Sequence, residues 1–168
     1  MKHKDDYIKL HKGNNFFGYS LLPSKNKIYD IVKETSSETI LDYGSGKGHQ
    51  YSKLKIDLYW GVEVDCYDPG YEPFFQLPNK TYDGVVCTEV LEHVPIEEVD
   101  QVLTEIFERA TRFVYLSIAT YPAGKTFPDG TNVHVTIESK EWWHQKVAEH
   151  NTNNIKVVIM YSAPAVPN

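Results

Sequence analysis

The chain has 168 residues, 41% of them hydrophobic and 24% charged, with a formal net charge of -6. This length fits one domain over 1–168, with an amino-terminal lid or arm expected over 1–22 and a flexible tail over 163–168. No stretch approaches the roughly 18 consecutive apolar residues of a membrane-spanning helix, and an excess of acidic over basic residues argues against bulk nucleic acid as a partner. The start, MKHKDDYIKLHK, lacks the apolar run of a secretory leader. Cys66 and Cys87 both lie in apolar runs and are too few for a disulfide framework, so reduced thiols in a cytoplasmic protein are expected.

In chain order, Ile28, Ile31 and Val32 recur at helical spacing and predict a helix from about Ser24 to Glu34. TILDY (39–43) is a short apolar run ending in a glycine cluster, the pattern of a buried strand. A short helix over 47–54 and a second strand over 58–67 follow. GVVCT (84–88) reads as a third strand. Pro95, with Glu97 and Glu98 behind it, opens a helix whose apolar face runs through Val99, Val102, Leu103, Ile106 and Ala110. RFVYLSI (112–118) is a strand, 139–151 a helix, and IKVVIMYS (155–162) a last strand. Alternating strands and helices predict an α/β fold, a doubly wound and mostly parallel sheet with helices on both faces.

In such sheets ligands bind beyond the carboxyl ends of the strands, where the strand order reverses. The first strand ends there in Asp42-Tyr43-Gly44-Ser45-Gly46-Lys47-Gly48. A phosphate-binding loop of the G-x-x-x-x-G-K-[ST] type fails, because Leu41 stands five residues before Gly46 and Gly48 follows Lys47. The dinucleotide fingerprint is weakened by His49 in place of its third glycine. An acidic residue at the end of the next strand completes the remaining pattern. Asp68, 20 residues after Gly48, is favoured over Asp65 to accept the two hydroxyls of a ribose, because Asp68-Pro69 belongs at a strand tip.

With these residues assembled, ILDYGSGKG resembles the first motif of the class I S-adenosylmethionine-dependent methyltransferases, and YDGVVCTEVLEHV (82–94) resembles the segment after their fourth strand. The series also resembles small methyltransferase-like proteins of phages and bacteria. The resemblance implies a Rossmann-like fold with S-adenosylmethionine or S-adenosylhomocysteine as cofactor. It implies that Gly44 and Gly46, with Tyr43, Ser45 and Gly48 around them, pack on the methionine part. Asp42 would support the loop or reach the amino group, Asp68 would hold the ribose, and Thr88 and Glu89 would line the methionine side. Only 14 residues separate Asp68 from Asp83, too few for the family's usual helix and third strand. One strand stands where the family has a closing hairpin, so five or six strands are expected. Phe74, Phe75 and Leu77 are the available apolar wall for an adenine.

Methyl transfer depends largely on positioning, with a general base where the acceptor holds its proton tightly. His93, beside Glu92, is one candidate base, although a histidine at a helix start also serves simply to bond backbone. His134 is the other, in a long polar loop (119–136) that also carries Lys125, Asp129 and Asn132 as acceptor-binding candidates or as turn builders. Trp142 and Trp143 can stack on a planar acceptor or fill core. Phe16, Phe17 and Tyr19 can fold over the cofactor or staple the first helix. Spacing of His3, His11, His49, His144 and His150 matches no metal motif, so no metal is expected. The expected activity is methyl transfer to a small-molecule or modified-nucleotide acceptor. A binding or regulatory protein that has lost turnover is the alternative, and a nicotinamide-dependent oxidoreductase a more distant one.

Overall fold

The computed structural model describes residues 17–163. After a 3-10 turn at Leu22–Ser24 come α1 (Lys25–Thr35), β1 (Thr39–Tyr43), the single turn α2 (His49–Ser52), α3 (Ile56–Trp60) and β2 (Glu63–Tyr67). Then follow β3 (Tyr82–Thr88), α4 (Val99–Arg109), β4 (Ala110–Ala119), α5 (Lys140–His150) and β5 (Lys156–Ser162). The five strands form one sheet in the order β2-β1-β3-β4-β5, and all four pairings are parallel. The expected α/β doubly wound architecture is present.

A parallel sheet must be covered on both faces, and the strand period of two divides the side chains accordingly. Ile40, Val86, Phe113 and Tyr115 face one side, where Ile28, Ile31 and Val32 of α1 meet Ile56 and Trp60 of α3. Leu41, Val85, Cys87, Val114, Leu116 and Ile118 face the other, under Leu103 and Ile106 of α4 and Trp143 of α5. Trp143 is fully buried there, so its role is packing, while Trp142 crosses it edge-on with ring centroids 4.8 Å apart.

Ala110, expected on the apolar face of α4, instead opens β4, and one whole element departs from its expectation. The predicted strand over 58–67 is α3 followed, after Gly61, by the shorter β2. The apolar run LYWGV suits either form, and packing decides it. In a helix Ile56 and Trp60 share a face and are both buried, while Leu58 stays 72% exposed. Burying a side chain as large as Trp60 is worth about 2–3 kcal/mol, and its indole N–H also donates to the Lys25 carbonyl oxygen at 3.0 Å. Gly61, with φ +71°, ends the helix in the left-handed conformation.

Between β2 and β3 the only regular element is a 3-10 turn, Glu72–Phe74, so among the described residues β2 is a sheet edge, as the short spacing predicts. The strand order reverses between β1 and β3. The glycine loop after β1 and the TEVLEHV segment after β3 therefore flank one crevice. Among the described residues no helix is long and apolar enough to cross a membrane.

Candidate active site

The glycine loop is anchored by β2. Gly44 and Ser45 donate their amides to the Tyr67 carbonyl oxygen at 2.7 and 3.0 Å. Gly44 lies at φ +86°, and a Cβ there would come within 2.3 Å of Val90 Cγ2, so no larger residue fits. Asp68 accepts the Gly46 amide on Oδ2 and the Gly70 amide on Oδ1, both at 2.8 Å, and thereby ties the strand tip to the loop. Asp65 is turned away, accepting from Tyr82 Oη at 2.7 Å and Lys80 Nζ at 2.8 Å. Phe74 lies against the loop, its ring 3.1 Å from where a Gly48 Cβ would stand, whereas Phe75 is half exposed.

Asp42 is buried beneath the loop. Its Oδ2 accepts from Gln50 Nε2 and from Tyr51 Oη (2.8 Å), while among the described residues no donor reaches its equally buried Oδ1. Burial pushes its pKa up to about 7 against the pull of those two hydrogen bonds. Such an orphaned carboxylate oxygen suits a cationic ligand group. Tyr43 is different. Its side chain lies on the opposite face, where Tyr43 Oη donates to Glu105 Oε2 at 2.5 Å, leaving only its backbone beside the loop.

The amino-terminal arm crosses this loop. The His49 and Gln50 amides donate to the Phe17 and Gly18 carbonyl oxygens at 3.1 and 3.0 Å, the Phe17 ring stacks on His49, and Ser20 Oγ meets Thr88 Oγ1 at 2.9 Å. Phe16 lies outside the described residues. Gly18 has φ +77°, and a Cβ on it would stand 2.3 Å from the Ser45 carbonyl oxygen. Gly18→Ala is therefore expected to lift the arm and lower stability by about 1–3 kcal/mol, seen as a fall of several degrees in Tm. An unchanged melting curve would contradict this packing.

Beyond β3 the chain builds a second cluster. Glu89 adopts φ +56°, uncommon for a side-chain-bearing residue. It is held by its amide on the Ser117 carbonyl oxygen (2.9 Å) and by Ser117 Oγ (2.6 Å) and Ser162 Oγ (3.1 Å) donating to its carboxylate. Glu92 is fully buried and accepts the Ala119 amide on Oε1 at 3.0 Å, but among the described residues no donor reaches Oε2. Burial, then the neighbouring Glu89 charge, pushes its pKa up to about 8.

The polar loop 119–136 folds back along this segment, with the Thr136 amide on the Glu92 carbonyl oxygen (3.0 Å) and Thr136 Oγ1 on that of Val94 (2.6 Å). That register brings His134 to His93, ring centroids 4.9 Å apart. His93 Nδ1 lies 2.8 Å from the Val133 carbonyl oxygen, and His134 Nδ1 2.6 Å from that of Tyr121. A carbonyl only accepts, so each Nδ1 carries its proton and each neutral ring has its lone pair on Nε2. Burial lowers the His93 pKa to about 4, which makes it a weak base.

The other loop candidates hold the loop itself. Asp129 Oδ1 accepts the Thr131 amide at 2.9 Å. Asn132 bonds both backbone groups of Ala123 and accepts the His134 amide at 2.9 Å. Lys125 is exposed. Nothing in the local sequence around Gly18, Ser20, Ser117 or the Tyr121 carbonyl marks them as parts of a site, because their roles depend on what the fold sets opposite them.

A family model described as a methyltransferase domain matches residues 19–155. No curated protein matches the chain. The matched span runs from the arm over the glycine loop to the start of β5, and on that match the chain belongs to the methyltransferase-domain family.

Proposed function

We propose that the protein transfers a methyl group from S-adenosylmethionine to a small-molecule or modified-nucleotide acceptor. The carrying observation is the cradle made by one loop and two carboxylates: Asp68 bonded to the Gly46 amide, and Asp42 with a buried oxygen that no donor reaches. In this reading Asp68 accepts from the ribose hydroxyls, and a carboxylate's roughly four acceptor positions serve loop and ribose together. Gly44, Ser45, Gly46 and Gly48 bring backbone against the methionine part, and Asp42 faces its amino group. The Thr88 backbone and Glu89 line the same side, and Phe74 offers a ring to the adenine. The bound cofactor supplies an activated methyl on a sulfonium centre. The chain's task is to orient donor and acceptor in line and to exclude water.

In this reading the second cluster, with His93 and His134, serves the acceptor. The net charge of -6 favours a small acceptor over bulk nucleic acid. Two unpaired thiols, Cys66 and Cys87, support a reducing, cytoplasmic setting. The missing strand beyond β2 favours one other reading, a binding protein without turnover. Mass spectrometry of the purified protein is expected to find S-adenosylhomocysteine, and calorimetry to find its affinity in the micromolar range. No affinity up to millimolar concentration would exclude the enzyme; affinity without transfer to any acceptor pool would favour the binding protein.

A further inference from the structure

We propose that Glu92, His93 and His134 form a binding site for one divalent transition-metal ion, to which a hydroxyl of the methyl acceptor coordinates. One ligating atom from each of the three lies within 4.8 Å of the others. Tetrahedral or octahedral ligands about such an ion stand roughly 3.0–3.4 Å apart, so side-chain rotations that shorten the widest separation by about 1.4–1.8 Å close the set. The two imidazoles are already prepared. Each donates Nδ1–H to a backbone carbonyl, Val133 or Tyr121, the outer bond that fixes a metal-binding histidine with its Nε2 lone pair toward the metal.

The carboxylate argues in the same direction. Glu92 is fully buried, and among the described residues its Oε2 meets no donor. A buried carboxylate oxygen without a donor is costly unless a proton or a cation meets it. A cation held also by the two imidazole nitrogens would satisfy that oxygen. Two imidazoles with one carboxylate suit zinc, iron(II), manganese or cobalt better than calcium or magnesium, which prefer all-oxygen shells. The expectation of no metal rested on linear spacing, and His93 and His134 are 41 positions apart, brought together only by the folded loop.

Three protein ligands leave positions open, and an alcohol or phenol oxygen bound there loses its proton to solvent more readily. No side-chain base is then needed. This role for the metal rests on the methyl-transfer reading; the site does not.

The test is calorimetry of untagged, chelator-treated protein with Zn2+, paired with Co2+ titration followed by visible absorption. One equivalent of each is expected, with cobalt bands that zinc abolishes. His93→Ala and His134→Ala should each weaken binding at least about 100-fold, and His144→Ala, on α5, should leave it unchanged. If His134→Ala melts out, His134→Gln provides the same comparison. Binding below one-fifth of an equivalent, or equal affinity in the His134 variants, overturns the site. Zinc binding without S-adenosylhomocysteine affinity would leave the site standing and remove the methyl-transfer reading; cofactor affinity without zinc binding would do the reverse.

Discussion

Asp68→Ala is expected to lower affinity for S-adenosylhomocysteine by at least about 100-fold. A hydrogen bond to a charged group is worth about 1.5–3 kcal/mol. Losing a carboxylate that serves two ribose hydroxyls thus removes about 3 kcal/mol, at about 1.4 kcal/mol per decade of Kd. The same substitution frees the Gly46 and Gly70 amides, so the loop loses its tie to the tip of β2. Asp68→Asn separates the two contributions, because it keeps the shape and one acceptor while losing the charge, and should fall between. Asp65→Ala is the control. Its carboxylate is engaged by Tyr82 and Lys80, so calorimetry should give the wild-type Kd. Equal affinities for wild type and Asp68→Ala would refute the assignment of the ribose to this residue.

The second large effect is on stability against pH. Asp42 has an ordinary carboxylate pKa in the unfolded chain and a value of about 7 when buried in the fold. The folded state therefore binds the proton more tightly. The stabilisation is fully present below pH 4 and is lost as pH rises from there to about 7, with a slope of up to about 1.4 kcal/mol per pH unit. The total is on the order of 4 kcal/mol. Glu92 and His93 also titrate differently on folding, so the informative quantity is the difference between wild type and Asp42→Asn. Asparagine keeps an acceptor for Gln50 and Tyr51 and carries no charge. Urea denaturation from pH 4 to 9 should show the variant gaining on wild type up to about pH 7 and holding a constant advantage above it. A pH-independent difference would mean that Asp42 is ionised in the fold. The advantage should come with weaker cofactor binding, since a charge held at a stability cost for a cationic ligand is lost.

Several elements were legible because they depend on local pattern. The helix through Ile28, Ile31 and Val32 and the strand TILDY each bury what their spacing says they should. The short gap before Asp83 correctly implied a sheet edge at β2. Residues 58–60, expected to open the second strand, are helical instead, because LYWGV has no period that separates a strand from one turn of helix. Its form depends on Trp60 finding the backbone of α1. Tyr43 was grouped with the loop by adjacency, yet strand alternation turns its side chain to Glu105 on the other face.

The linear order of residues determined the α/β alternation, the glycine loop and the choice of Asp68 over Asp65 as the residue at the strand tip. These are matters of periodicity, backbone freedom and chain length between turns. The tertiary structure alone decided what stands opposite what. It laid Gly18 on the Ser45 carbonyl oxygen, left Asp42 Oδ1 buried without a donor, and folded the loop 119–136 so that His134 meets His93 beside Glu92. The reason is that hydrogen bonds and ligating distances act over about 3 Å in space, and separation along the chain carries no information about which distant pairs will close that distance.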